Sequence, residues 1–451
     1  MNELERLKAA YQPAQVQELK QEDMQWYRDG KFGMMLHWGL YAIPGKGEWV
    51  MFNDRMSVGE YAHLAEEFTA ADFHAKEWAE AAKRAGMKYM VLTARHHDGF
   101  CLFDSKVSSF NSMNAAAGRD LIGEYVNACR EAGLKVGIYY SPMDWRFPGY
   151  FFPNLYFDNA MEMRRQCQEQ LRELMTRYGK IDLLWFDGEW LAHGGIKDGS
   201  QGWYRDKDFG KDPIFFHVNY FWQSEETINM IRSLQPGIMI NNRFGWKGDF
   251  QVRERYVGGM RTDKPWESVD CLANSWGWIE NAEMRTLTES VQNLVRAAVR
   301  DGNTLLNVSP TPTGGLEKRF ADRLAEIGDW LKEFGDTIYG TRGGPVLPGN
   351  WGGCTYRNDT IYVHILEWHE NKVVLSGVPG KVVSCQARNA ANVSLSQNED
   401  EVVISVPLQN RDSIDTILEL KVDAPICWDG VEPFELGIYG LGDGLKKEDK
   451  Q

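Results

Sequence analysis

"LRELMTRYGKIDLLWFDGEW", residues 171–190, joins a helical stretch, a glycine stop at Gly179, a short apolar run and an acid, Asp187, where that run ends. Glycine suits the left-handed residue that closes a helix. A near-continuous apolar run suits a strand covered on both faces, as in a parallel sheet. The unit recurs in "DFHAKEWAEAAKRAGMKYMVLTARHHDGF" (72–100), "LIGEYVNACREAGLKVGIYYSPMDW" (121–145) and "INMIRSLQPGIMINNRFGW" (228–246). An early strand, "FGMMLHWG" (32–39), and a late one, "GNTLLNVSP" (302–310), extend the series. Repeated strand–helix units of this length predict an α/β fold of the (β/α)8 type. A doubly wound dinucleotide-binding sheet loses its main support, because no GxGxxG follows the first strand.

After "FADRLAEIGDWLKEFG" (320–335) the pattern changes. "TIYVHILEW", "KVVLSG", "KVVSCQ", "VVISVP" and "TILELKV" are short β-type runs separated by turn residues, which predicts a C-terminal all-β sandwich. The expected domains are a catalytic barrel over 1–340 and a β-sandwich over 341–451. The sandwich is expected to be structural, since no recognisable spacing of aromatics marks it as a carbohydrate-binding module.

With 451 residues, the chain exceeds one ordinary core. Its formal charge of −14 and lack of a Lys/Arg cluster argue against a nucleic-acid or anionic-membrane partner. No apolar stretch approaches the roughly 20 residues of a membrane span, and the charged N-terminus has no signal-peptide core, so a cytoplasmic location is expected. Seven scattered cysteines without a CxxC pair read as buried thiols rather than disulfides or a zinc site.

Barrel chemistry sits at the carboxyl ends of the strands. Those ends carry His37 and Trp38, His96 and His97, Tyr140, Asp187 and Arg243. Alternation puts Leu183, Trp185 and Asp187 on one face, so Asp187 would stand in the mouth above an aromatic floor; a helix-capping acid is the structural alternative. Adjacent His96 and His97 should point apart, which makes a poor metal chelate, and no metal or cofactor is expected. A carboxylate ringed by His, Trp, Tyr and Arg suits a polyhydroxylated ligand. Cleaving a glycosidic bond then calls for a second carboxyl group, for which Asp249, Glu254 and Glu267 are the downstream candidates.

Together "HWG", "GEW", "HHDGF", "YYS", "LLWFDG", "SWGW", "GNTLLNVSP" and "IYGTR" resemble glycoside hydrolase family 29, the retaining α-L-fucosidases, over nearly the whole chain. The resemblance implies an exo-acting hydrolase of terminal α-L-fucosyl linkages, with a fucosylated oligosaccharide or glycoconjugate as substrate. It implies Asp187 as nucleophile and Glu254 as acid/base, with Glu267 as the fallback. It implies a sugar pocket of His37, Trp49, His96, His97, Tyr140, Trp185, Arg243 and Trp276. "GDFQVRE" lacks the Thr-Pro usual before the acid, and Asn242 and Phe244 replace the family's "NDRWG" residues; these departures fall on the leaving-group side. Two other readings stay open: a metal-dependent barrel hydrolase using His37, His96, His97 and Asp187, and a fucose-binding protein without turnover. A homo-oligomer is also left open.

Overall fold

The structure, a computed structural model, describes residues 1–192, 217–368 and 371–431. Eight strands build one parallel sheet: β1 (Phe32–Leu36), β2 (Tyr89–Arg95), β3 (Lys135–Tyr140), β4 (Leu183–Phe186), β5 (Met239–Ile240), β6 (Gln251–Glu254), β7 (Trp266–Cys271) and β8 (Asn303–Val308). Their order is β5-β4-β3-β2-β1-β8-β7-β6. The two ends meet through a parallel bridge, Asn241 to Phe250, reinforced by the Asp249 N–H donating to Ile240 O at 2.7 Å. The sheet is thus curled into the expected barrel.

Helices Ala75–Arg84, Leu121–Ala132, Phe157–Arg177, Ser224–Leu234, Leu287–Ala298 and Lys318–Phe334 surround the sheet. Local chemistry sets their limits. Asp120 accepts from the Gly123 N–H at the start of Leu121–Ala132, and left-handed Gly133 ends it. Thr286 and Glu289 form a reciprocal capping box on Leu287–Ala298. No helix separates β5 from β6, or β6 from β7. The repeating strand–helix pattern therefore lapses at the seam.

Alternation divides the apolar residues into two cores. Met34, Leu36, Trp38, Ile138, Tyr140, Leu184 and Phe186 face the helices. Met35, Tyr89, Val91, Tyr139, Leu183, Trp185, Met239, Phe250, Val269 and Leu305 fill the barrel, plugged below by Met24 and Tyr27 from helix Gln21–Gly30. Every one of these is nearly or wholly shielded from water.

Beyond the barrel, antiparallel strands Val382–Ala387, Thr416–Val422, Thr360–Ile365, Gly352–Arg357 and Arg342–Gly343 form one sheet, and Lys372–Ser376, Glu401–Ser405 and Ser394–Gln397 form another. Ile361, Val363, Leu418 and Leu420 of the first share a core with Val373, Leu375, Val402 and Ile404 of the second. This is the expected sandwich; its expected last residues, from 432, lie outside the described ones. All seven cysteines are free and five are buried, but Cys427 is exposed, against the expectation of buried thiols throughout. No helix among the described residues is long and apolar enough to cross a membrane.

Helix Lys318–Phe334 crosses Ala75–Arg84 at Gly328, where an added Cβ would lie 1.9 Å from Arg84 O. Alanine is favoured over glycine within a helix by about 1 kcal/mol. Overpacking against a fixed carbonyl costs about 1–3 kcal/mol, so the clash wins. Gly328→Ala should lower the urea midpoint; an unchanged or raised midpoint would show that the two helices can part without loss.

Candidate active site

At the carboxyl ends of the strands lies a cavity of about 120 Å3, lined by Met35, His37, Glu48, Trp49, His96, Trp185, Asp187, Trp190, Arg243, Glu254 and Trp276. That is well below the roughly 300–1,000 Å3 of a pocket for a drug-sized molecule. It suits one small ring held at a chain end.

Asp187 follows β4 by one residue and shares the inward face of Trp185. Its Oδ1 accepts from Arg243 Nη1 at 2.9 Å, its Oδ2 accepts from the Tyr139 hydroxyl at 3.1 Å, and His97 Nε2 lies 3.7 Å from Oδ2. These partners replace the helix-capping alternative. Gly188, at φ 85°, turns the chain immediately afterwards; a Cβ there would stand 2.4 Å from Met143 Cε and 2.8 Å from His97 Cε1. Glycine is what lets this turn pack against the histidine.

Arg243, on the connection after β5, also places Nη1 2.8 Å from Glu254 Oε2 at the end of β6. One nitrogen therefore touches both acids, and their nearest oxygens can be no further apart than those two contacts combined. That limit is close to the separation of about 5–5.5 Å between the carboxyl groups of retaining glycosidases. The paired carboxylates hold the Arg243 guanidinium firmly protonated against the effect of burial.

Trp185 forms the floor. Its ring stacks on Tyr139 with centroids 5.4 Å apart, and its indole N–H donates to Glu267 Oε1 at 2.6 Å. Glu267 Oε2 accepts from the Tyr27 and Tyr89 hydroxyls at 2.6 and 3.0 Å. Burial pushes this carboxyl above the ordinary glutamate range, while those hydrogen bonds oppose the shift. Glu267 is wholly buried beneath the floor and does not line the cavity, which corrects its standing as a fallback acid/base. Asp249 is also outside the cavity: its Oδ2 accepts from Arg232 Nη2 at 2.5 Å and from the Ile240 N–H at 2.8 Å, at the barrel seam.

His37 Nδ1 lies 2.7 Å from Asn307 Oδ1, while Asn307 Nδ2 donates to Trp276 O. The asparagine oxygen must accept, so the proton sits on Nδ1 and Nε2 is left to accept from a ligand hydroxyl. Burial lowers the pKa of His37 and, more strongly, that of His96, favouring neutral rings. The two rings of His96 and His97 lie only 4.0 Å apart, since β2 has ended and strand alternation no longer separates them. His96 faces the cavity; His97 stands behind Asp187, with Nδ1 2.7 Å from Ser141 Oγ. Among the described residues no three His, Cys, Asp or Glu side chains are grouped as metal ligands.

Tyr140 is corrected. It points outward, its hydroxyl donating to Gln170 Oε1 at 2.8 Å and accepting from Arg95 Nη1 at 3.2 Å. Its neighbour Tyr139 is the tyrosine that reaches Asp187. Trp38 likewise belongs to the outer core. Glu48 and Trp190 were missed, although "GEW" occurs in full at both 47–49 and 188–190. Glu48 accepts from the Gly277 N–H at 2.8 Å, and a Cβ on Gly277 would meet Glu48 N at 2.6 Å. This close fit locks the "SWGW" loop, and Trp276 with it, against the loop bearing Trp49.

Burial pushes the Glu189 carboxyl up to about 7; Arg243 and a hydrogen bond from the Gly245 N–H oppose this, and Asp187 adds to it. Its Oε2 is buried without a hydrogen-bond partner. Raising the folded-state pKa of an acid favours folding below the ordinary value of about 4.5, and that advantage is lost as pH rises through about 7. Glu189→Gln should therefore gain in melting temperature relative to the unaltered protein between pH 5 and pH 8. A pH-independent gap would refute the shift. For Glu267→Ala, three buried donors lose their acceptor, each at about 1–3 kcal/mol. Urea unfolding should show a loss of about 3 kcal/mol or more, and azide should restore no activity. A stable, azide-rescued variant would return Glu267 to the acid/base role.

Comparison with known proteins agrees with this architecture. The family model described as Alpha-L-fucosidase matches residues 1–336. Mouse tissue alpha-L-fucosidase is 30% identical over 77% of this chain and 79% of its own length. Alpha-L-fucosidase isoenzyme 1 from Paenibacillus thiaminolyticus is 33% identical, covers 89% of this chain and 99% of its own, and superposes with a TM-score of 0.74. A family 29 alpha-L-fucosidase from Bacteroides thetaiotaomicron, 26% identical with a TM-score of 0.78 over 92% of this chain and 99% of its own, has been trapped as a covalent intermediate with 2-fluoro-fucosyl fluoride using a Glu-to-Gln mutant. With its fold, its cavity and these matches in agreement, the chain belongs to the alpha-L-fucosidase family of glycoside hydrolases.

Proposed function

We propose that the protein releases terminal α-L-fucose from glycans by a retaining double displacement, with Asp187 as nucleophile and Glu254 as acid/base. The observation that carries this reading is the single Arg243 nitrogen at 2.9 Å from Asp187 and 2.8 Å from Glu254, at the wall of a cavity sized for one sugar. The covalent intermediate of the Bacteroides relative supports the same two-step course.

In the first step an Asp187 oxygen bonds to the anomeric carbon as the glycosidic C–O bond breaks, and the departing oxygen takes a proton from Glu254. Water then gives up a proton to Glu254 as its oxygen bonds to the anomeric carbon and the bond to Asp187 breaks, which restores the original anomeric configuration. Donation calls for Glu254 to give up part of its ion pair with Arg243. Its side chain, 39% exposed, has the room to turn. Meanwhile Arg243 and Tyr139 keep Asp187 oriented, and the Trp185 ring offers an apolar face to the sugar.

Neutral His37 and His96, with Glu48, supply acceptors and donors for the ring hydroxyls. The two aromatic walls, Trp49 with Trp190 and Trp276, close the cavity on its sides. Nothing in this arrangement makes His37, His96, His97 and Asp187 a chelating set, so the metal-dependent reading gains no support from their geometry. The two-acid geometry also favours turnover over mere fucose binding.

On an aryl α-L-fucoside, Glu254→Ala should lose about 10^2–10^4-fold in kcat/KM on a poor leaving group, the range for general acid catalysis. Azide should restore turnover and yield the α-L-fucosyl azide. Asp187→Gly should be less active still and, with azide, yield the inverted β-azide. Product anomers read by NMR decide the roles: a β-azide from the Glu254 variant, or full activity of the Asp187 variant, would overturn the assignment.

A further inference from the structure

β6 stops at Glu254, and the residue after it leaves the strand in an unusual way. Arg253 and Arg255, two apart, would share a face had the strand continued. Arg253 lies over Trp266 at 4.0 Å and donates to Val257 O and Gly259 O. Arg255 instead adopts φ 61°, a left-handed conformation costing about 1–3 kcal/mol for a residue other than glycine. Its N–H is fixed to Val269 O at 2.9 Å, and its guanidinium comes to rest 5.1 Å over the ring of Trp276, which lines the cavity. The backbone therefore spends strain to carry this cation to the mouth, next to the residue that faces the leaving group.

The charge is exposed and unneutralised. Arg255 donates to Cys271 Sγ at 3.9 Å, and burial keeps that thiol well above its ordinary range, hence uncharged. Nearby Arg243 is committed to Asp187 and Glu254, and Arg285 to Asp270 at 2.6 Å. Among the described residues no carboxylate is within ion-pair distance of Arg255. Around it the mouth is acidic, with Glu48, Asp187 and Glu254, on a chain of net charge −14. An anionic leaving group would be repelled there unless one cation met it.

We propose that Arg255, resting on the ring of Trp276, forms a leaving-group subsite that favours α-L-fucosides whose aglycone carries a carboxylate or sulfate. This rests on the fucosidase reading above. A guanidinium matches either anion through paired N–H donors, and an aromatic face beneath it limits the loss of side-chain freedom on binding.

Two aryl fucosides test it: 3-carboxy-4-nitrophenyl α-L-fucoside and its neutral carboxamide counterpart, with the 3-sulfo compound as the sulfate-like arm. The unaltered enzyme should prefer the anionic substrates by about two- to fivefold in kcat/KM, the scale of an exposed ion pair. The preference should shrink between about 0.05 and 0.5 M salt as screening shortens. Arg255→Gln should abolish it, Arg255→Glu should reverse it, and Arg255→Lys should keep part of it. All three should retain turnover of the carboxamide. Equal rates on charged and neutral substrates, or a preference that survives Arg255→Gln, would overturn the subsite. Parallel losses on both substrates would show that Arg255 merely props Trp276, which also overturns it. No turnover of any fucoside by the unaltered enzyme would instead sink the fucosidase reading itself.

Discussion

Arg243 Nη1 stands between Asp187 and Glu254, and the chemistry assigned to this barrel depends on that bridge. At an effective dielectric of about 20, two unit negative charges about 5.5 Å apart repel by roughly 3 kcal/mol, while a cation under 3 Å from each attracts it by roughly twice that. The guanidinium thus makes it affordable to hold two acids within a single sugar's width. The same contacts orient them, since a planar fork fixes direction as well as charge. Without Arg243 the two carboxylates would repel each other with no cation between them, and the proposed pairing of nucleophile and acid would lose its orientation.

The bridge in turn rests on the seam of the barrel. Asp187 comes from β4, Arg243 from the connection after β5 and Glu254 from β6, so the three meet where the sheet closes by a single residue bridge. Side chains do the work that a longer ladder would otherwise do. Asn241 accepts from the Phe186 N–H and donates to Phe186 O; Asn242 accepts from the Val252 N–H; Asp249 joins Ile240 to Arg232. These polar contacts carry directional information that apolar packing lacks.

Much of this was legible in the chain because it obeys period and punctuation. The strands with long apolar runs and glycine-stopped helices announced the barrel, and the alternating runs after residue 340 announced the sandwich. β6 and β7 carry no such mark: three of the four residues of "QVRE" are polar, "WESVDC" places Glu267 inside, and no helix lies between the two strands. Alternation favours Tyr139 over Tyr140 as the inward tyrosine, since Tyr139 pairs with Trp185 in register and shares its face, whereas Tyr140 pairs with Phe186. The burial of Glu267 was not readable, because its donors Tyr27, Tyr89 and Trp185 come from three distant segments. Glu48 was hidden for a similar reason: its partner Gly277 is more than two hundred residues away.

The absence of crossover helices around β6 leaves the two halves of the cavity differently supported. The half that grips the sugar is clamped by tight glycine contacts and by a floor tied through Glu267 to the plug beneath it. The half proposed to meet the departing group hangs from β6, four residues long and without a helix on either side. On the proposed division of the cavity, such a chain can diversify what it removes the sugar from while keeping which sugar it removes.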